Sequence, residues 1–329
     1  MKSNQLSRRT AALAFAGALI GAVALPATAQ SFPHKPIRLV VPFPAGGGTD
    51  FFARTVGVKM SEQMGQPIII DNKPGAGSII GAQAAMSAAA DGYTLLLGDM
   101  STLAVNPSLY KKLPYDPQKD FTPITLTARF AMLLVANPEK VRASSTRELL
   151  PLLKASPGMN YATVSPGTAH HLAMELFKQQ AGVSLEAVHY KGAAPAIQDL
   201  LGGQVPLMFL DLAAGGAHVR SGRLKVLGVA SSKPIPGMPD VPTIASTGLP
   251  GFEAGAWQAL MAPAGTPADV VAKLNAEFAK AVSDPAVRHK LMEGGIEPVT
   301  STSQEAAAHI RSETAKWAQV IQRADIKVD

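Results

Sequence analysis

Gly46, Gly47 and Gly48, followed by Thr49 and Asp50, form the first group whose residue types and spacing suit a chemical task. The three glycines have no side chains, so a ligand can approach the backbone closely. A helix beginning there leaves its first N–H groups unpaired, with the positive end of its dipole beside them. A carboxylate or phosphate is the natural guest of such a loop. The plainer alternative is an ordinary turn between a strand and a helix. Asp71-Asn72-Lys73-Pro74-Gly75-Ala76-Gly77-Ser78 offers a second such loop. Its third glycine, Gly81, comes one residue late for a dinucleotide fingerprint. Gly81 reads equally well as close packing of helix on strand, and Lys73 as a solvated rim charge. Ser165-Pro166-Gly167-Thr168 is a third loop, with two hydroxyls beside a helix start.

Catalytic patterns are missing. No Gly-x-Ser-x-Gly elbow, Gly-Lys-Ser/Thr phosphate loop or His-Glu-x-x-His occurs. His171 and Glu175 share a helical face, but two ligands do not make a metal site, and a helix-face histidine is the simpler reading. With no cysteine in 329 residues, disulfides, thiolate metal sites and cysteine nucleophiles are excluded. The pattern is that of a binder without cofactor or metal, rather than an enzyme.

Elements to position these loops are legible in order. A strand over Ile37–Val41 feeds the first loop, and Phe52, Val56, Met60 and Met64 then recur on one helical face up to Gly65. Ile68–Ile70 reads as a short buried strand, followed by an alanine-rich helix to about Ala90 and a strand over Tyr93–Leu97. The stretch from Gly98 to Pro123 reads as irregular. Strands are expected at Ala131–Ala136, Asn160–Val164, Leu185–Tyr190, Val205–Leu210, Leu224–Ala230 and Ala256–Ala262. Helices are expected after Ser145, over Ala169–Ala181, from about Pro195 to Leu201, and from Thr266-Pro267 to about Ser283. The last begins at the capping box Thr302-x-x-Glu305 and runs to about Ala324. Alternating strands and helices predict an α/β fold with mostly parallel sheets, ligands sitting beyond the strands' carboxyl ends.

The first thirty residues differ in kind. Lys2, Arg8 and Arg9 precede an apolar run from Ala11 to about Leu25, and Ala27-x-Ala29 supplies a cleavage site. Residues 1–29 therefore read as a secretory signal peptide, with Arg8-Arg9 a weak hint of twin-arginine export. An uncleaved N-terminal anchor is the alternative. Losing those three cations lowers a formal net charge of +6 by three. With so mild a balance and no basic patch interleaved with aromatics, no nucleic-acid role is expected.

Longer stretches resemble a known family. They are Pro36–Asp50, Asp71–Gly77 with Asp91–Leu96, Tyr190-Lys191-Gly192, Asp199–Val205, Pro239–Thr243 and Ala262–Pro267. The chain is similar along them to the extracytoplasmic solute receptors of tripartite tricarboxylate transporters, the TctC or Bug type. The resemblance implies a two-lobed type II periplasmic binding protein with a hinge, lobe 1 over 30–128 plus 252–329 and lobe 2 over 129–251. It implies a monomer that binds a small organic acid and meets the membrane subunits of its transporter. Presentation of the acid to a sensor kinase ectodomain, or an enzyme on the same fold, are the competing readings. First-lobe contacts carried over are Phe43, Ala45, Gly46, Gly47 and Asp50, with Ala76 and Gly77. Second-lobe contacts are Ser165, Thr168, His170 and Asp211. The family often has Gly-Ser-x-Gly-x-Gly-Ser at the third loop, where this chain has Ala162–Thr168, and His189 replaces a common proline. Both departures lie near the lobe expected to set specificity. The absence of Lys and Arg from the first and third loops favours a dicarboxylate or aromatic carboxylate over citrate or a phosphate ester.

Overall fold

A computed structural model describes residues 32–328, so the expected signal peptide, its cleavage after Ala29 and its anchor alternative lie outside the described residues. Strands β1 (Ile37–Val41), β2 (Ile68–Asn72), β3 (Thr94–Asp99), β4 (Phe121–Phe130), β10 (Ala256–Pro263) and β11 (Ile296–Pro298) form one sheet, in the order β11-β4-β10-β3-β1-β2. Strands β5 (Met132–Ala136), β6 (Met159–Val164), β7 (Leu185–Tyr190), β8 (Leu207–Asp211) and β9 (Lys225–Val229) form a second, ordered β7-β6-β8-β5-β9. The helices are α1 (Gly48–Met64), α2 (Ile79–Met86), α3 (Asn106–Leu109), α4 (Thr146–Ala155), α5 (Ala169–Ala181), α6 (Ala193–Leu201), α7 (Leu212–Arg220), α8 (Ile244–Thr247), α9 (Ala268–Ser283), α10 (Pro285–Glu293) and α11 (Ser303–Arg323).

The expectation of mostly parallel sheets needs correction. β1 runs parallel to β2 and β3, and β6 to β7 and β8, but β10 is antiparallel to β3 and β4, β11 to β4, and β5 to β8 and β9. The mixture comes from the crossings. The chain leaves the first sheet at Phe130, enters the second at Met132, and returns from β9 to β10. A strand entering from the other lobe meets the carboxyl ends of its neighbours and must run against them. Parallel order survives where a helix returns the chain to the starting edge.

Local sequence explains most elements. α1 buries Phe52, Val56 and Met60, packs Phe52 on Phe278 with ring centroids 6.3 Å apart, and stops at Gly65 in the left-handed region. β2 is an edge strand and not the buried one expected, with Ile69 52% exposed. β4 falls partly inside the stretch read as irregular, because Pro123 argues against a strand. The proline is accommodated where the register against β10 shifts between Leu260 and Met261. α10 and β11 also went unread, although Asp284 caps α10 and Pro285 occupies its first turn.

One apolar core runs from β3 and α3 through α5 to Trp317 and Ile321 of α11. A second lies within the second lobe, among β5, α6 and β8. Both lobes thus place rigid sheets beneath the three loops, which follow β1, β2 and β6.

Candidate functional site

The first loop is built around a buried acid. Asp50, in the first turn of α1, is 3% exposed. Its Oδ2 accepts from Gly46 N and from Arg54 Nε, each at 2.9 Å, and its Oδ1 accepts from Asn72 Nδ2 at 3.0 Å. Asn72 Nδ2 also reaches Phe43 O at 3.1 Å, so one side chain spans both ends of the loop. Arg54 is the main cause holding the Asp50 carboxyl down at about 2; burial opposes it, and Gly46 and Asn72 add to it. Asp50 is an internal latch, and the Gly46 N–H is occupied by it. Gly47 caps α1 without any side-chain hydrogen bond, so the N–H groups that open α1 have no intrahelical acceptor. Ala45, Gly46 and Gly47 are exposed and Phe43 half-buried.

The second loop has an unusual backbone. Gly75, Ala76, Gly77 and Ser78 all have positive φ, at 124°, 47°, 61° and 75°. Non-glycine residues there cost roughly 1–3 kcal/mol each and persist only where the surroundings enforce them. Asn106 does so, donating Nδ2 to Gly77 O at 2.8 Å and to Tyr115 Oη at 3.1 Å. Gly81 proves to be a packing glycine, since a β-carbon there would lie 2.6 Å from Pro42 Cβ. Lys73 pairs with Asp71 at 3.8 Å on the half-exposed rim.

In the third loop, Thr168 donates Oγ1–H to Ser165 O at 2.8 Å and precedes α5 without capping it through its side chain. Ser165 is exposed and Thr168 half-buried. Gly167 N donates to His171 Nδ1 at 3.2 Å. His170 Nε2 lies 3.3 Å from Asp211 Oδ2, while Asp211 Oδ1 accepts from Ala214 N at 2.8 Å and caps α7. Burial pushes the Asp211 carboxyl up, but His170 beside it and Ala214 N–H outweigh burial and leave it below the usual range. The other histidine pair, His171 and Glu175, is structural. Glu175 Oε1 accepts from Tyr161 Oη and Lys178 Nζ, both at 2.7 Å, with His171 Nε2 at 3.7 Å.

Two contacts between lobes gather the loops. Leu109 of α3 packs on Gly167, and neighbouring Tyr110 packs on Gly77, so the second and third loops share one short segment. Phe51 lies against Gly294, and Gly295 against Ala213, which sets the start of α1 near the start of α7 and Asp211. A cavity of about 640 Å³ lies elsewhere, at the hinge edge between Arg129–Met132, Ser231–Pro236 and α11. None of the three loops lines it, and its Arg129, Lys233 and Lys316 are matched by Glu253, Glu297 and Glu313, so an anion gains little there. Sequence reading missed Asn72, Asn106 and Gln258. Gln258 left a signal, being the polar residue amid the apolar strand Ala256–Pro263. α7 also escaped, its Asp211 cap hidden by Gly215 and Gly216.

Residues 52–326 match the family described as Tripartite tricarboxylate transporter family receptor, TctC. Protein BugT of Bordetella pertussis is 37% identical over 308 residues, 93% of this chain and 94% of its own. The chain belongs to this receptor family. Among solved structures, R. palustris Rpa4515 with adipate superposes with a TM-score of 0.78 at 36% identity, over 90% of this chain and 99% of that one. MatC from Rhodopseudomonas palustris with bound malate gives 0.73 at 34% identity, over 88% and 100%. TctC/Bug members are periplasmic solute-binding receptors and not enzymes, which accounts for a site rich in backbone donors and poor in acids, bases and nucleophiles. The two-lobed α/β architecture of the receptors is the one described above.

Proposed function

We propose that the chain, with lobes over 30–128 plus 252–329 and 129–251, captures a small dicarboxylate or aromatic carboxylate between them. Cleavage after Ala29 leaves it in the periplasm, and it hands the acid to the membrane subunits of a tripartite transporter. One observation carries the reading: α1 and α5 each begin without a side-chain cap, behind a glycine-bearing loop, and neither loop has a cationic side chain. Arg54, the nearest guanidinium of the first loop, is already held by Asp50 and Asn72. Dipoles and N–H groups suit one or two carboxylates, whereas a third charge or a phosphate dianion would lack a partner. The adipate and malate held by its structural neighbours support this class.

A thermal-shift panel of succinate, malate, adipate, benzoate, citrate and glycerol phosphate tests it. An acid present at 100 times its dissociation constant stabilises by about 2.7 kcal/mol. Shifts confined to citrate and phosphate esters would refute the reading of the site. Uptake of the shifting acid, lost on deletion of the gene, checks delivery.

A further inference from the structure

Successive side chains on a strand face opposite ways. On β10, Trp257 donates Nε1 to Glu313 of α11 at 2.9 Å, so Gln258 points to the other face, beneath α1. There its Nε2 donates to Thr49 Oγ1, in the residue that follows the three glycines. The pairing with β4 slips at this point: Gln258 faces Ala128, Ala259 faces Leu126, and Thr127 is left over. Such bulges re-aim side chains and recur beside binding sites.

Gln258 is 2% exposed, and its Oε1 has no hydrogen-bond partner among the described residues. Turning the carboxamide over does not help. Oε1 would then accept from the Thr49 hydroxyl, and Nε2 would be left with two unmet donors. Buried polar atoms without partners are uncommon, and they destabilise the state that contains them. The neighbouring Thr127 Oγ1 is in the same position.

We propose that Gln258 is a positioning residue that sets affinity at the first-lobe site, its second amide interaction being completed only when an acid has drawn the Gly46–Gly48 loop closed. The inference rests on the reading of that loop as the acid site. Gln258 stands two residues beyond Ala256, where the chain re-enters the first sheet from the second lobe. It therefore ties the ligand loop to a strand that leaves the hinge. An interaction unmet in the free form and met in the bound form is a differential contact, and only such contacts shift an equilibrium between two forms.

Gln258→Met keeps length and volume and removes the polar atoms. Its melting temperature without ligand is expected to equal or exceed that of the parent. Calorimetry with succinate, malate and adipate should show affinity at least tenfold lower for each acid the parent binds. Gln258→Glu, which replaces the donor to Thr49 with an acceptor for its hydroxyl and adds negative charge beside the loop, should bind more weakly still. A purely structural glutamine would lower melting temperature and affinity together. The proposal is overturned if Gln258→Met binds as the parent does, or melts several degrees lower without ligand. Should no acid bind the parent, the functional reading fails on its own, and the ligand-free melting of Gln258→Met still decides whether the amide is unmet.

Discussion

The loops that open α1 and α5 follow the same strand–loop–helix plan and differ in what holds them. In the first, a charged carboxylate is buried under the backbone and surrounded by Gly46 N–H, Arg54 and Asn72. In the third, neutral groups hold the backbone, through Thr168 Oγ1 and His171 Nδ1, while His170 and Asp211 stand together at the margin. The first has its charges settled internally. The third leaves polar side chains at its edge, where ligands of different length would meet them. On the function proposed above, the first loop would supply a common carboxylate anchor, and the second-lobe side would discriminate between acids.

The sharpest way to break this contrast is Gly47→Val. Gly47 has φ −81°, and a β-carbon there would meet only Pro44 O, at 3.8 Å, so the fold tolerates the change. The new side chain would instead occupy the approach to the α1 N–H groups. Calorimetry with whichever dicarboxylate the parent binds should show a loss of roughly 100-fold, or about 2.8 kcal/mol, with the melting temperature little changed. Retained affinity would remove the first loop from the site.

That contrast was only half legible in the sequence. Glycine loops, the places of most strands along the chain, the Ser145 cap of α4 and the capping box of α11 are local features, set by residues a few positions apart. Asp50 stood out as an acid at a helix start, but nothing local says that its partner Asn72 lies 22 positions on. Asn106, which enforces the positive φ run at Ala76–Ser78, sat in a stretch read as irregular. α7 and β4 were hidden because glycines and a proline speak against regular structure locally, while packing and a bulge accommodate them in three dimensions. Long-range partners, and elements made from poor formers, are tertiary facts.

Asp50→Asn comes second in size and acts on the latch itself. The amide keeps the shape but loses the charge that Gly46 N–H and Arg54 address. At neutral pH, unfolding by urea should show a loss on the order of 2 kcal/mol, because the folded pKa of about 2 lies below the ordinary 3.8. Solvent around half-exposed Arg54 weakens its share. A depressed folded pKa stabilises the fold above the unfolded value and ceases to do so as pH falls through the folded one. The difference between parent and variant should therefore be full above about pH 5 and shrink between about pH 4 and pH 2. A difference that stays constant down to pH 2 would mean the latch works by shape alone.

His170→Ala tests the other side of the comparison and should act more gently. It leaves the Asp211 carboxylate with Ala214 N–H but without its neighbouring imidazole. A bound acid would then face an uncompensated negative charge at its far end. Affinity for adipate, long enough to reach across, should fall by roughly tenfold, about 1.4 kcal/mol. Benzoate, with no distal carboxylate, should lose much less, so the readout is the ratio of the two. Equal losses for both acids would place His170 in the common anchor and erase the proposed division between lobes.

Lys73→Ala should have the smallest effect, and that is its use. Lys73 stands two residues before Gly75, so a site built on side-chain charge at the second loop would depend on it. Its ammonium instead lies 3.8 Å from Asp71, with both side chains partly exposed. Exposed pairs of this kind contribute about 0–1 kcal/mol, screened further by salt. Backbone N–H groups and helix dipoles do not depend on Lys73, so affinity for a dicarboxylate should change less than about threefold, and raising the salt concentration should not widen the gap. Calorimetry of Lys73→Ala beside Gly47→Val decides between the two kinds of site. If the lysine variant loses more than the valine variant, side-chain charge holds the acid and the uncapped helix starts do not.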